Sequence, residues 1–216
     1  MSKMDFAALL CSRLCHDLVS PVGAITNGIE ILSDEHDAAM REQVMDLLQK
    51  SAQQTGNKLQ FFRLAFGAAG GFSARLDTRE ASKAIETFLD SSRIKATMAF
   101  EMPDAPKGIV KLLLNLVLVA SETLIRGGLL DIAMRQDGKT IDISVAVRGD
   151  RYILQDTVRQ ALTGQVAEAD IEPRSAPAFL VATIVEEMGG SLAVIDNDDG
   201  SHEFRICLAN AEMIGE

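Results

Sequence analysis

The first 66 residues carry helical patterning almost throughout and scarcely any strand signal. Apolar residues recur at helical spacing, and the pattern breaks once, at Ser33–Asp37, where small and charged side chains cluster. Such a segment predicts two long helices folded back as a hairpin. The glycine-rich segment 67–71 cannot sustain a helix, so we place a hinge there and a second domain at 72–216.

Beyond the hinge, helical and strand patterns alternate and predict a domain of mixed helix and sheet. We expect strands over 72–76, 95–102, 129–135, 140–147, 191–195 and 203–208, and helices over 77–92, 106–126, 154–162 and 178–188. The last two strands would form a hairpin around Asn197–Gly200. This order is typical of an α/β sandwich in which helices cover one face of a mostly antiparallel sheet, so the chain as a whole is α+β.

Both helices of the predicted hairpin carry an apolar stripe. The first stripe consists of Ala7, Cys11, Leu14, Leu18, Pro21, Ala24, Ile25, Ile29 and Leu32, and the second of Met40, Val44, Leu47, Leu48, Leu59, Phe62 and Phe66. Two helices cannot cover both stripes from water, whereas two hairpins together make a four-helix bundle. The sequence therefore predicts a homodimer.

Composition excludes several classes of partner. The 21 Lys and Arg against 31 Asp and Glu leave a formal charge of −10, which repels nucleic acid and anionic membranes. The first residues do not resemble a signal peptide, and no stretch of 18 uncharged apolar residues follows. We therefore expect a cytoplasmic protein that does not bind membranes.

The three cysteines are an odd number in a chain without an export signal, which favours free buried thiols over disulfides. Cys11, Cys15 and His16 lie close together on the first helix and raise the alternative of a zinc site. One short cluster lacks the second pair of ligands that a closed tetrahedral site needs, so we expect no metal.

His16 faces away from the apolar stripe of the first helix. Its neighbours on that face are small or polar, namely Ser12, Arg13, Ser20, Gly23 and Asn27. An exposed neutral imidazole is a good nucleophile that can carry a phosphoryl group, and Asp17 could hold the second ring nitrogen as N–H. The alternative is a solvated surface histidine without a role. Pro21 is expected to remove one backbone bond and bend the helix just after His16.

The position of the hairpin turn predicts which part of the second helix lies beside His16. Residues about twenty before and twenty after the turn should be neighbours, which brings the polar stretch 53–58 close to His16. Lys58 is then either a contact for a bound anion or an ordinary lysine of the helix surface.

The segment His16–Val22 closely resembles the phosphoacceptor box of histidine kinases, which is a His, an acidic residue, Leu, any residue, Ser or Thr, Pro and an apolar residue. The continuation Gly23–Leu32 resembles the ChpT family of alphaproteobacterial histidine phosphotransferases. This resemblance implies that His16 is the phosphoacceptor and that Asp17 orients its imidazole.

The second domain is similar in element order to the ATPase domain of histidine kinases, but the nucleotide motifs are missing. Asn115 matches the first of two metal-binding asparagines, whereas Val119 occupies the second position. Arg148–Tyr152 stands where the kinases have an Asp-x-Gly-x-Gly box, and Arg174–Pro177 stands where they have a glycine-rich phosphate loop. We expect a degenerate domain that binds no ATP and no other cofactor.

The resemblance implies a phosphorelay role, in which His16 takes a phosphoryl group from a receiver aspartate of a hybrid kinase and gives it to response regulators. A CckA-like kinase would be the donor and CtrA-like and CpdR-like regulators the acceptors, with Mg²⁺ and a lysine supplied by the receivers. The expected docking residues are Leu9, Ser12, Arg13, Val19, Ser20, Asn27 and Lys58.

Two alternatives remain open. An active sensor kinase is disfavoured by Val119, by the missing glycines and by the lack of a sensory segment before Asp5. A dimer that docks receivers without transferring phosphate would not need His16.

Overall fold

The computed structural model describes residues 1–67, 74–197 and 201–209. It begins with two long helices, α1 (Lys3–Asp34) and α2 (Ala38–Phe66), which pack along each other. The predicted helical hairpin is therefore confirmed.

Side chains at the helix starts fix where each helix begins. The backbone N–H of Asp5 donates to Ser2 Oγ at 3.1 Å, and the backbone N–H of Ser2 donates to the Asp5 carboxylate at 3.1 Å, which makes a capping box. The backbone N–H of Met40 donates to Asp37 Oδ1 at 2.8 Å and caps α2. The chain thus turns inside the predicted segment 33–37.

A mixed sheet forms the centre of the second unit, which is the part of the chain that follows the helical hairpin. The strands of this unit are β1 (Arg75–Asp77), β2 (Ile94–Phe100), β3 (Asp104–Pro106), β4 (Gly128–Asp137), β5 (Thr140–Arg148), β6 (Ser191–Asp196) and β7 (His202–Ala209). Strands β1 and β3 form a small separate ribbon, and the other five form the large sheet. Within the described residues the large sheet has the order β2-β4-β5-β7-β6. Only the β2–β4 pair in it is parallel, so the expectation of a mostly antiparallel sheet is confirmed.

Helices cover one face of this sheet. They are α3 (Thr78–Leu89), α4 (Lys107–Thr123), α5 (Asp156–Leu162) and α6 (Ala176–Glu187), with a short 3₁₀ turn at Glu168–Asp170. The central helix is α4, which is buried along almost its whole length because it contacts the sheet as well as α2, α3 and α6. The predicted α+β fold class is confirmed.

The end of α2 belongs to the core of the second unit. Phe61 and Phe62 are completely buried there, and the Phe61 ring stacks on Phe88 of α3 with ring centroids 4.0 Å apart. The sequence assigned Phe62 and Phe66 to the hairpin stripe, whereas the structure packs both against this core. The hairpin is therefore anchored to the second unit at its base.

Several boundaries differ from the sequence-based expectation. The antiparallel β1–β3 ribbon was not predicted. Of the strand expected over 72–76, residues 75–76 belong to β1, and residues 72–73 lie outside the described residues. Helix α4 ends three residues before the expected limit, because Leu124 leaves the helical conformation with a ψ of 85°. Gly127, with a φ of 86°, then turns the chain into β4. Most of the expected hinge, 68–71, and the turn residues 198–200 lie outside the described residues.

Candidate functional site

His16 lies near the middle of α1 with its imidazole open to solvent. The side chain is 84% exposed, as expected for the face of the helix that points away from the apolar stripe. Substrate groups can therefore reach this ring without any movement of the backbone.

Asp17 contacts the imidazole from the next position on the helix. His16 Nδ1 lies 3.2 Å from Asp17 Oδ1. Because a carboxylate only accepts hydrogen bonds, this contact assigns the ring proton to Nδ1 and leaves the lone pair on Nε2. The arrangement has the geometry needed for nucleophilic attack by Nε2.

Arg13 is not exposed, contrary to the expectation that it lines the open face around His16. Its side chain is only 7% exposed, because it reaches across to the second unit and pairs with Glu122 of α4. On the other side, Arg13 Nε donates to Asp17 Oδ2 at 2.9 Å. A helical wheel cannot foresee this burial, since the covering residues come from another part of the chain.

Pro21 lies inside α1 without ending the helix, which continues to Asp34. Proline has no N–H, so the carbonyl four residues earlier, that of Asp17, loses its helical partner. Lys58 Nζ of α2 donates to this carbonyl at 2.8 Å and replaces the missing bond. The sequence correctly placed Lys58 beside His16, and the structure gives its ammonium group a backbone partner there.

The remaining docking candidates differ in exposure. Val19 is 68% exposed, and Ser12, Ser20 and Asn27 are also exposed, whereas Leu9 is half-buried. Asn27 lies eleven residues beyond His16, about 16 Å farther along the helix. A partner that contacts both residues must therefore follow α1 for three turns.

A cleft of about 630 Å³ separates α1 from the second unit beside His16. Its lining comes from α1, from the end of α4 and from the loop before α6, namely Ser12, Arg13, His16, Asp17, Glu122, Glu172, Pro173 and Arg174. The sequence missed Glu122 and Glu172 as site residues, and it interpreted Arg174 only as part of a lost phosphate loop. No local pattern could have found them, because they lie more than a hundred positions from His16.

The side chains at the kinase-like nucleotide positions are committed to packing. Asn115 is fully buried, and its Nδ2 donates to the carbonyls of Ala65 at 3.0 Å and Lys111 at 2.8 Å. Val119 is also buried, and it lines a cleft of only about 10 Å³ at the side of α4.

The segment that replaces the glycine-rich loop forms the start of α6. Ala176 and Pro177 are buried in its first turn, and Ser175 Oγ accepts from the backbone N–H of Glu172 at 3.1 Å. This backbone is a helix entry in which the proline has no N–H to offer a phosphate.

Cysteine burial differs from the expectation of free buried thiols. Cys11, Cys15 and Cys207 are free but exposed. In the part of the chain that the structure describes, no three His, Cys, Asp or Glu side chains are grouped so that they could hold a metal ion.

By length and composition alone, α1 is long and apolar enough to cross a membrane. This helix also carries Arg13, His16 and Asp17, and it packs on α2 and α6. Its apolar character therefore does not indicate a membrane protein.

Comparison with known proteins assigns the family. Residues 78–200 match the histidine phosphotransferase C-terminal domain family. Protein phosphotransferase ChpT of Brucella abortus (strain 2308) is 34% identical over 196 residues, which cover 90% of this chain and 91% of the relative. A bacterial phosphotransferase solved at 1.7 Å superposes with a TM-score of 0.85 at 30% identity, over 95% of this chain and 97% of the other. With its exposed, carboxylate-paired histidine on a helical hairpin, the chain belongs to the histidine phosphotransferase family.

Proposed function

We propose that the chain relays phosphoryl groups between receiver-domain aspartates through Nε2 of His16, without using ATP. The observation that carries this proposal is the exposed imidazole, whose Nδ1 contacts Asp17 and whose Nε2 is free. In this proposal Asp17 keeps the role expected from the sequence, that of orienting the ring.

The chemistry needs little from the chain itself. The Nε2 lone pair forms a P–N bond as the P–O bond of the aspartyl phosphate breaks, and the receiver aspartate leaves as a carboxylate. Receivers bring the Mg²⁺ ion and the lysine that stabilise charge on the transferring group, so an oriented imidazole is sufficient. Onward transfer is the same step in reverse, with a second receiver aspartate as the nucleophile.

Packing around the kinase-like nucleotide positions supports the absence of ATP chemistry. Asn115 is fully buried, with its amide nitrogen bound to two backbone carbonyls, and Val119 offers no oxygen to a metal. The buried Pro177 also stands where a phosphate loop would need backbone N–H groups.

Exposed apolar side chains on the hairpin support a homodimer. In the single chain they include Val22, Ile29, Ile31, Met40, Met45, Leu47 and Leu59. A second hairpin would cover part of this surface in a four-helix bundle and leave His16 outside it. The dimer would thus present two phosphoacceptor sites.

The partners proposed for this relay are a CckA-like hybrid kinase as donor and CtrA-like and CpdR-like regulators as acceptors, in the cytoplasm. Leu9, Ser12, Val19, Ser20 and Asn27 remain the candidate contacts on α1 for their receivers. Arg13 and Lys58 would act from below this surface, since each already has a partner within the chain.

The test is transfer of radiolabelled phosphate from a phosphorylated receiver to the wild-type protein and to His16→Ala. We expect label on the wild type and none on His16→Ala. His36→Ala is the matched control, because His36 is also an exposed hairpin histidine, but it donates to the Glu35 carboxylate through its backbone N–H at 2.8 Å rather than through its imidazole. The control should be labelled like the wild type.

ATP alone serves as a parallel donor and separates the alternatives. Label from ATP on His16 would identify a kinase and contradict the proposed loss of nucleotide binding. Receiver binding without label on any histidine would identify a docking dimer.

A further inference from the structure

Glu122 connects the second unit to His16 through two buried charges. Arg13 Nη1 donates to Glu122 Oε2 at 3.3 Å, and Nη2 pairs with Glu122 Oε1. The same guanidinium donates through Nε to Asp17 Oδ2 at 2.9 Å, and Asp17 Oδ1 faces His16 Nδ1. A continuous chain of contacts thus runs from α4 to the imidazole.

Burial changes steeply along this chain. The side chains of Arg13, Asp17 and Glu122 are 7%, 14% and 27% exposed, whereas His16 is 84% exposed. Charges that are largely withdrawn from water need partners in fixed geometry. The exposed imidazole therefore contacts a chain of largely buried charged groups, Asp17, Arg13 and Glu122, which have little freedom to move.

We propose that Glu122 is a positioning residue for phosphoryl transfer at His16, acting through Arg13 and Asp17. The inference rests on the proposed function and assigns the second unit a part in it. While Glu122 binds both Nη groups, Arg13 offers only its Nε to Asp17, which leaves Oδ1 for the imidazole. Without Glu122, the guanidinium can turn its two-nitrogen edge to Asp17 and occupy both carboxylate oxygens.

The free Oδ1 matters during the transfer itself. As Nε2 bonds to phosphorus, the ring gains positive charge while Nδ1 keeps its proton. Asp17 stabilises that charge only if its oxygen stays on Nδ1. Loss of this contact would also let the proton move to Nε2, where it blocks attack.

Glu122→Gln is the direct test, because the amide has one acceptor oxygen where the carboxylate has two. We expect single-turnover transfer from a phosphorylated receiver to slow by about tenfold. ¹⁵N NMR of the free protein should show a smaller fraction of His16 with its proton on Nδ1. Arg13→Lys should give the same two changes, since an ammonium group cannot bridge two carboxylates with a planar fork.

Glu80→Gln is the matched control. Glu80 of α3 pairs with Arg63 of α2 at 3.2 Å, so it also joins the hairpin to the second unit, but Arg63 does not contact His16 or Asp17. This variant should keep the wild-type transfer rate and the wild-type imidazole signals.

Wild-type transfer and unchanged imidazole signals in Glu122→Gln would overturn the inference. Slower transfer with unchanged signals and a lower melting temperature would also overturn it, because that result describes a purely structural role. If the wild type itself takes no label, the relay function fails, and the NMR comparison still decides whether Glu122 positions the ring.

Discussion

The three histidines of the chain lie in different environments, and His16 combines an exposed ring with a contact between that ring and a carboxylate, Asp17 Oδ1. His202 is buried against Tyr152, with ring centroids 4.0 Å apart, and next to Asp196. Burial lowers the pKa of His202 and outweighs the attraction of Asp196, which favours the neutral ring. His36 is exposed at the hairpin turn. A carboxylate contact combined with exposure is what distinguishes the candidate nucleophile.

At the scale of single residues, the substitution Asp17→Asn tests whether Asp17 orients the imidazole of His16. The amide can turn its NH₂ group toward the ring and favour the proton on Nε2, which opposes attack. We expect labelling from a phosphorylated receiver to slow by about 10- to 100-fold, measured in rapid-quench experiments. Label should still arrive on His16, unlike in His16→Ala.

Asp46→Asn is the control for this prediction, because Asp46 is an exposed carboxylate that pairs with Lys50 on α2. Its transfer rate should match that of the wild type. A wild-type rate in Asp17→Asn would show that ring orientation does not depend on this carboxylate.

At the scale of the elements, α1 passes through Pro21 because α2 supplies a substitute donor. Lys58 Nζ binds the Asp17 carbonyl that proline leaves without its helical N–H partner. The two helices are thus joined by a charged hydrogen bond at Asp17, the residue after His16. This contact explains how a proline is accommodated one turn after His16.

A double-mutant cycle tests this compensation. Lys58→Met should lower the free energy of unfolding by about 1 to 2 kcal/mol, because it leaves the carbonyl without a partner. In the Pro21→Ala background the restored N–H binds the carbonyl, so the same change should cost about 1 kcal/mol less. Urea unfolding measures both values.

Lys50→Met is the control for the cycle, since Lys50 is exposed on the same helix and its ammonium group pairs with the Asp46 side chain. Its effect should be small and equal in both backgrounds. Equal costs of Lys58→Met with and without proline would contradict the proposed compensation.

At the scale of the whole molecule, several contacts join the hairpin to the second unit. At the end of α2, Phe61 and Phe62 pack into the core, and Arg13 of α1 pairs with Glu122 of α4. The apolar residues that remain exposed on the hairpin lie outside these contacts. They are the surface available for a second copy of the chain.

Leu47→Glu tests the proposed dimer. A charge placed in the centre of a four-helix bundle without a partner costs several kcal/mol, so we expect the variant to sediment as a monomer. Its secondary structure should be unchanged, because Leu47 is exposed in the single chain. Analytical ultracentrifugation gives the mass.

The control is Ile125→Glu, which changes an equally exposed apolar residue outside the hairpin. It should keep the dimeric mass. A wild-type protein that is monomeric at all accessible concentrations would contradict the bundle.

The sequence by itself determined the elements and the face on which His16 lies. Helical periodicity, the break at Ser33–Asp37 and the proline are local signals, because they depend on residues a few positions apart. The phosphoacceptor segment is also local, so both the candidate nucleophile and Asp17 could be named in advance.

Only the tertiary structure decided what supports the site. Arg13 is buried because α4 lies over it, and its partner Glu122 follows 109 residues later. The cleft beside His16, the partner of Lys58 and the β1–β3 ribbon likewise join distant segments. Such contacts depend on how whole elements pack, and the spacing of residues along one helix carries no information about that packing.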